Sequence, residues 1–182
     1  GAGVIGMEFA SILNSFGCEV TVVEFLKECL PPIDSDIAKR LRKCLEKRGV
    51  TFYMQSALKG AASGKVTFEL KGKVTEVEAD KVLLAVGRKP LTDGLGLDEV
   101  GIKYDAKGIA VDDNMLTSVE NVYAIGDVNG RQMLAHAAEM QGKRAVNAIV
   151  GCGDDIRFDV MPAAVFTLPE AASVGKTEDA LK

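Results

Sequence analysis

The chain opens on Gly1-Ala2-Gly3-Val4-Ile5-Gly6, and this G-x-G-x-x-G run constrains the fold more than any other stretch because it leads directly into a helical pattern. Apolar residues at Ile5, Phe9, Ile12 and Leu13 recur at the period of a helix, so the glycines form the loop that opens it. Gly17 suits the left-handed position just past a helix C-terminus, and Glu19 to Glu24 (EVTVVE) is β-branched enough to predict a strand. Loop, helix and strand in that order belong to a β-α-β unit, which directs the chain to an α/β architecture.

Such a loop has a chemistry. The first glycine permits the tight turn, the second lets a diphosphate approach the backbone, and the third lets helix and strand pack closely, leaving N–H groups and the helix dipole aimed at the anion. Gly1, Gly3 and Gly6 are the candidates for these roles. Glu24, at the end of the next strand and 18 positions after Gly6, would accept both hydroxyls of an adenosine ribose. A carboxylate there repels a 2′-phosphate, and no arginine directly follows it in Phe25-Leu26-Lys27, so NAD is favoured over NADP. The plainer alternative is a glycine turn beside a solvated strand-end glutamate. The strand that normally precedes this motif is not in the sequence, so the chain is expected to be truncated. The resulting gap is expected to be filled by local rearrangement, by a segment swapped from another copy, or by residues outside this sequence.

Further along, Ile37, Leu41, Cys44 and Leu45 predict a helix from Ser35 to Arg48, capped by Asp34 or Ser35 and stopped by Gly49. Its basic residues interleave with Asp34, Asp36 and Glu46, which indicates a solvated face rather than a phosphate patch. A strand near Val50 to Met54 is followed by the alternation Val66, Phe68, Leu70 and the turn Lys71-Gly72-Lys73, an antiparallel excursion. Val82 to Val86 (VLLAV) is a continuous apolar run, expected to be a central parallel strand covered on both faces. Residues 91 to 121 are rich in glycine and aspartate, Val122 to Ile125 is expected to be another buried strand, and an alanine-rich helix runs from about Leu134 to Val150. Ala163 to Phe166 and Ala172 to Val174 are expected strands, and Thr177-Glu178-Asp179 has the cap and acidic first turn of a final helix.

Composition excludes several classes of function. With 47% hydrophobic and 26% charged residues the chain can build a core and is not a disordered or collagenous segment. A net charge of −4 offers no field for nucleic acid or an anionic membrane surface, and no apolar stretch approaches the ~20 residues of a membrane span. Cys18, Cys29, Cys44 and Cys152 are too scattered for a disulfide scaffold or a C-x-x-C pair; with one histidine they assemble no zinc site. They are expected to be small buried hydrophobes in a reducing compartment.

Taken with GAGVIGMEFA and TVVEF, the stretches AVGRKP, TDGLGLDEVGI, KGIAVDDNMLTSVENVYAIGDV and VFTLPEAASVGKTE identify a resemblance covering nearly the whole chain. In that order and spacing they resemble the pyridine nucleotide-disulfide oxidoreductases. Met133-Leu134-Ala135-His136 followed by Ala138-Glu139 is most similar to the dihydrolipoamide dehydrogenase branch of the family. Ala137 stands where lysine is often found, and Leu91 where asparagine is common after the G-R-x-P proline. A methyltransferase would also use a glycine loop and an acidic strand end, but would not explain G-R-K-P and A-I-G-D together.

The resemblance implies a Rossmann-like, three-layer NAD-binding domain over residues 1–90 lacking its first strand, the returning part of an FAD-binding domain over 91–150, and the start of an α+β dimerisation domain over 151–182. It gives Gly1, Gly3, Gly6 and Glu24 to NAD, puts Glu8 beside the nicotinamide carboxamide near the flavin, and lines the nicotinamide side with Val86 and Gly87. It gives Asp127 to the ribityl and diphosphate part of FAD, with the backbone of Leu134, Ala135 and His136 near the isoalloxazine. Without it, Asp127 could be a turn aspartate, Arg88 a surface residue and Glu8 an exposed first-turn residue. The family's redox cysteine pair and base histidine lie outside this chain, so none of the four cysteines and not His136 is catalytic. The parent enzyme would pass electrons from a small-molecule or lipoyl-domain dithiol through a disulfide and FAD to NAD, as a homodimer in the cytoplasm or an organelle matrix. Alternatives are an NADH oxidase, mercuric reductase or ferredoxin reductase relative, or a non-catalytic NAD-binding module.

Overall fold

A computed structural model describes all 182 residues. The chain is mixed α/β and divides into two compact units, Gly1–Gly87 with Pro162–Lys182, and Arg88–Met161. The segment 151–182 expected to begin a separate domain is thus shared between the two.

The first unit starts with helix α1 (Val4–Ser15), which follows the glycine loop with Gly3 as its N-cap. The period of α1 is the expected one, but Ile5, Phe9 and Ile12, which announce it, lie on the exposed side. Its buried side is Gly6, Met7, Ala10 and Ser11. Strand β1 (Thr21–Val23) pairs in parallel with β2 (Thr51–Tyr53), and the crossover between them is α2 (Ser35–Lys47). Both helices end alike. Gly17 and Gly49 take positive φ, and the residue after each donates its N–H back across the last turn, Cys18 to the Leu13 carbonyl and Val50 to the Leu45 carbonyl, each at 3.0 Å. Ala38, Leu41 and Leu45 face the core beside Met7, Ala10, Val22 and Leu30, while Ile37 lies at the rim.

The antiparallel excursion is a three-stranded sheet, β3 (Ser56–Ala62), β4 (Lys65–Leu70) and β5 (Lys73–Glu78), in that order. Each connection is a two-residue turn with both residues at positive φ, Ser63-Gly64 and Lys71-Gly72, the twist a tight hairpin needs. Ser56 and Phe68 are its buried residues, and the Phe68 ring packs at a tilt on Tyr53 with ring centroids 4.9 Å apart.

Val82 to Val86 is not a strand, contrary to its apolar pattern. It forms no ladder, and Val82 and Val86 are 53% and 70% exposed. Hydrogen-bonded partners, not apolarity, make a central strand, and no strand of this chain pairs with it.

The second unit contains a single-turn helix α3 (Leu97–Val100), a hairpin of β6 (Tyr104–Asp105) and β7 (Gly108–Ile109), and helix α4 (Ala135–Ile149). Leu97, Ile102, Ile109 and Ala124 form its core. Val122 to Ile125 also departs from expectation. It forms only an isolated bridge, Leu116 to Tyr123, and only Ala124 of the four is buried, because its partner is a short loop rather than a strand. A 3-10 turn (Gly126–Asn129) follows it. Arg144 on α4 makes two 2.8–2.9 Å hydrogen bonds to Asp154 and a third, at 2.7 Å, to the Ile156 carbonyl, clasping the following loop to the helix.

The chain then returns to the first unit with the hairpin β8 (Ala163–Val165) and β9 (Ala171–Ser173), whose Val165 and Ala171 join the main core. Helix α5 (Glu178–Leu181) is capped by Thr177 Oγ1, which accepts from Ala180 N. The N-termini of α2 and α5 exchange caps, Glu178 N donating to Asp34 Oδ1 at 2.7 Å and Ser35 N to Asp179 Oδ2 at 3.1 Å. No helix is long and apolar enough to cross a membrane.

Candidate functional site

In the first unit the glycine loop is held from below by backbone. Leu30 N donates to the Ala2 carbonyl and Met7 N to the Gly3 carbonyl, both at 2.9 Å. The three glycines differ in what surrounds them. A Cβ on Gly1 would lie 2.2 Å from the Ala85 carbonyl oxygen and one on Gly6 would lie 2.0 Å from the Gly1 carbonyl oxygen, so both positions are closed to any side chain. A Cβ on Gly3 would meet nothing within 4 Å. Gly3 therefore faces open space at the head of α1, where the helix has neither a side-chain cap nor an acidic residue in its first turn. Free N–H groups and the positive end of the helix dipole face that opening, an arrangement suited to an anion.

Glu24 follows β1 and is buried, not solvated. Its Oε2 accepts a short hydrogen bond from Ala2 N of the glycine loop and its Oε1 accepts from Leu26 N at 2.7 Å. Its own N–H and carbonyl are bonded to Tyr53 and Ser56 in the sheet region, at 2.9 and 2.8 Å. The carboxylate is thus fixed against the loop, and each oxygen keeps a further lone-pair direction for a hydroxyl donor.

Glu8 sits in the first turns of α1 but is not a free carboxylate, since its Oε1 accepts from Phe166 N at 2.9 Å. Ser11 Oγ accepts from Leu168 N at 2.9 Å, and Arg48 donates to the Leu168 carbonyl at 2.7 Å, so the loop after β8 is fastened to α1 and α2. Val86 and Gly87 are exposed beside the glycine loop, with Val86 Cα 3.2 Å from where a Gly1 Cβ would stand. Gly1, Gly3, Gly6, Glu24, Val86 and Gly87 are therefore neighbours, with Glu8 farther along α1.

The second unit gathers the other candidates. Asp127 is exposed in the 3-10 turn, Leu134 is the N-cap of α4, and Ala135 and His136 are exposed in its first turn. Behind them lies a polar network that the sequence pattern did not single out. Gln141 Oε1, fully buried on α4, accepts from Gly126 N at 2.7 Å and from Asn129 Nδ2 at 2.8 Å. A glutamine between Ala137 and Ala145 on the buried stripe of a helix was the available signal.

The cysteines differ from one another. Cys29 is buried, donates to the Ala38 carbonyl at 3.3 Å, and has its thiol pushed up to about 12, first by burial and then by Glu28 beside it, which keeps it protonated and unreactive. Cys18 and Cys152 are exposed and Cys44 is half-buried, which corrects the expectation that all four fill the core; turn and terminal positions placed them on the surface. The basic face of α2 also needs one correction. Arg42 is mostly covered, bonded to Glu28 at 2.7 and 3.0 Å and to Glu46 at 2.5 Å, because Glu28 comes up beside the helix. No group of His, Cys, Asp or Glu side chains is placed to hold a metal ion.

The family model described as pyridine nucleotide-disulphide oxidoreductase matches residues 1–142. The chain is 44% identical to the mitochondrial dihydrolipoyl dehydrogenase of Pisum sativum, covering 100% of this chain and 38% of that protein. It is also 44% identical to the leghemoglobin reductase of Glycine max, covering 100% of this chain and 36% of that protein. Among solved structures it superposes on LpdA from Mycobacterium tuberculosis with a TM-score of 0.86 at 33% identity, over 99% of this chain and 40% of that one. The HOCl-induced flavoprotein disulfide reductase RclA from Escherichia coli gives 0.84 at 29% identity, over 100% and 42%. The chain spans about two fifths of the length of these proteins. Its glycine loop, its mixed parallel and antiparallel sheets and a family match over most of its length place the chain in the pyridine nucleotide-disulphide oxidoreductase family.

Proposed function

We propose that this chain is the nucleotide-binding portion of a flavin-dependent disulfide oxidoreductase of the dihydrolipoyl dehydrogenase kind, with NAD as its pyridine nucleotide and FAD as its flavin. The observation that carries the proposal is the buried Glu24 carboxylate tied to Ala2 of the glycine loop, beside the open approach at Gly3. The bare end of α1 would receive the diphosphate, and the remaining lone pairs of Glu24 would take the two ribose hydroxyls. Val86 and Gly87 would border the nicotinamide, with Glu8 beside its carboxamide. In the second unit the exposed Asp127 carboxylate would accept from a ribityl hydroxyl next to the diphosphate of FAD, with the backbone of Leu134, Ala135 and His136 along the ring system.

In this reading residues 1–90 are a Rossmann-like NAD domain, 91–150 the returning part of an FAD domain, and 151–182 the start of a dimerisation domain. When bound, the flavin carries electrons between a dithiol-disulfide couple and the nicotinamide, which gains or loses a hydride. The residues of this chain bind and orient; its buried Cys29 and its scattered thiols supply no redox pair. The electron donor would be a dihydrolipoyl group, and the full-length protein a homodimer in the cytoplasm or an organelle matrix.

The full-length protein is expected to be yellow, to release FAD on denaturation and to reduce NAD with dihydrolipoamide. A colourless protein, or one that turns over NAD only with a non-thiol donor, would overturn this reading. The 182-residue polypeptide alone is expected to show no such turnover.

A further inference from the structure

The second unit buries two side-chain amides, Asn129 and Gln141, and both are committed to one four-residue turn. Gln141 Oε1 takes the N–H of Gly126 at the start of the turn and the Nδ2 of Asn129 at its end. Asn129 Nδ2 also reaches the Ala124 carbonyl at 3.0 Å, and Asn129 Oδ1 accepts from Arg131 N at 3.0 Å. A single oxygen on α4 therefore ties down both ends of Gly126–Asn129. Close packing reinforces the tie, since a Cβ on Gly126, at φ +75°, would stand 3.4 Å from the Ala138 methyl.

Asp127 lies inside this turn, and within the turn only its carbonyl is used, by Gly130 N at 3.1 Å. Its exposed carboxylate is oriented by the turn, and the turn is oriented by Gln141. Burying an amide among Ala137 and Ala145 costs desolvation that an apolar residue would avoid, and it is offset by an acceptor shared between Gly126 N and one N–H of Asn129. Gln141 makes no approach to the surface itself, being 1% exposed.

We propose that Gln141 is a positioning residue for flavin binding, acting through the Gly126–Asn129 turn to aim the Asp127 carboxylate; this rests on the assignment of Asp127 to FAD made above. Any acceptor of the same reach should serve, so Gln141→Glu should work where Gln141→Met, of similar volume but without an acceptor, should not.

The test measures FAD dissociation constants by flavin fluorescence in the full-length protein after removal and return of the flavin. Asp127→Ala and Gln141→Met are each expected to weaken FAD by about tenfold, the loss of a charge-assisted bond or of its aim. Gln141→Glu is expected to stay close to the unmodified protein. Combining Gln141→Met with Asp127→Ala is expected to add little, because residues acting through one another are non-additive. Asn129→Ser, which loosens the far end of the turn without substituting a residue of α4, is expected to behave like Gln141→Met and keeps the test open if that variant does not fold. NAD affinity serves as the control and should be unmoved in all of them. Full additivity of the two losses, or unaltered FAD binding in Gln141→Met or in Asn129→Ser, would overturn the role of Gln141. Unaltered FAD binding in Asp127→Ala would instead overturn the assignment of Asp127 on which it rests.

Discussion

Glu24 and Asp127 are both candidate cofactor carboxylates, and the two units build them in opposite ways. In the first unit the carboxylate is itself the structural anchor, buried and accepting from Ala2 N and Leu26 N. In the second the anchor is a neutral amide, Gln141, and the carboxylate is left exposed with no structural duty of its own. Where one group does both jobs, any change to it disturbs fold and ligand together. Where the jobs are divided, ligand binding can be lost while the fold stays intact.

The largest effects should come from the loop that Glu24 anchors. Gly6→Ala is expected to cost about 3 kcal/mol or more, because its methyl would fall 2.0 Å from the Gly1 carbonyl oxygen and only backbone movement could relieve it. Gly3→Ala, at an ordinary negative φ with open space ahead, should change stability by no more than about 0.5 kcal/mol while weakening NAD. Urea unfolding of the full-length protein checks both, and equal destabilisation by the two would mean the loop is not divided into packing and ligand-facing glycines.

Next in size is the direct contrast of the carboxylates. Glu24→Ala strips the acceptor from two backbone donors and should destabilise by about 2 to 4 kcal/mol, whereas Asp127→Ala should fall within about 0.5 kcal/mol of the unmodified protein. Equal losses by urea unfolding would erase the distinction between the sites.

A smaller, pH-dependent effect is expected in the second unit. Hydrogen bonds from Arg144, then from Asn147, hold the Asp154 carboxyl down at about 2. A carboxylate depressed on folding contributes its stability above the ordinary aspartate value near 3.8 and loses it as pH falls through about 2. Acid unfolding followed over that window should therefore be shallower in Asp154→Asn. An unchanged acid profile would show that the clasp between α4 and the following loop contributes nothing.

Sequence signals are legible where the physics is local. The stops at Gly17 and Gly49 follow from the left-handed conformation that each glycine adopts, and the Lys71-Gly72 turn from its two positive φ values. The face of α1 was not legible in the same way, because periodicity reports a helix without reporting which side meets the core. Val82 to Val86 and Val122 to Ile125 show the limit most clearly. Both are more apolar than Thr21-Val22-Val23, yet only the latter is a laddered strand, because Thr51–Tyr53 lies alongside it. Among the site residues, the glycines and Glu24 stood out by spacing. Gln141 did not, since its importance rests on two donors brought to it by the turn, and no spacing rule encodes that meeting.

The central claim is that a fixed, buried Glu24 beside the glycine loop selects NAD. Dissociation constants of the full-length protein for NAD and NADP, measured side by side with Glu24→Ala, test it most directly. NAD should bind more tightly than NADP, and Glu24→Ala should weaken NAD by about 1 to 3 kcal/mol, roughly 5- to 150-fold, while weakening NADP by less. Equal or tighter binding of NADP, or NAD binding indifferent to Glu24, would contradict the account.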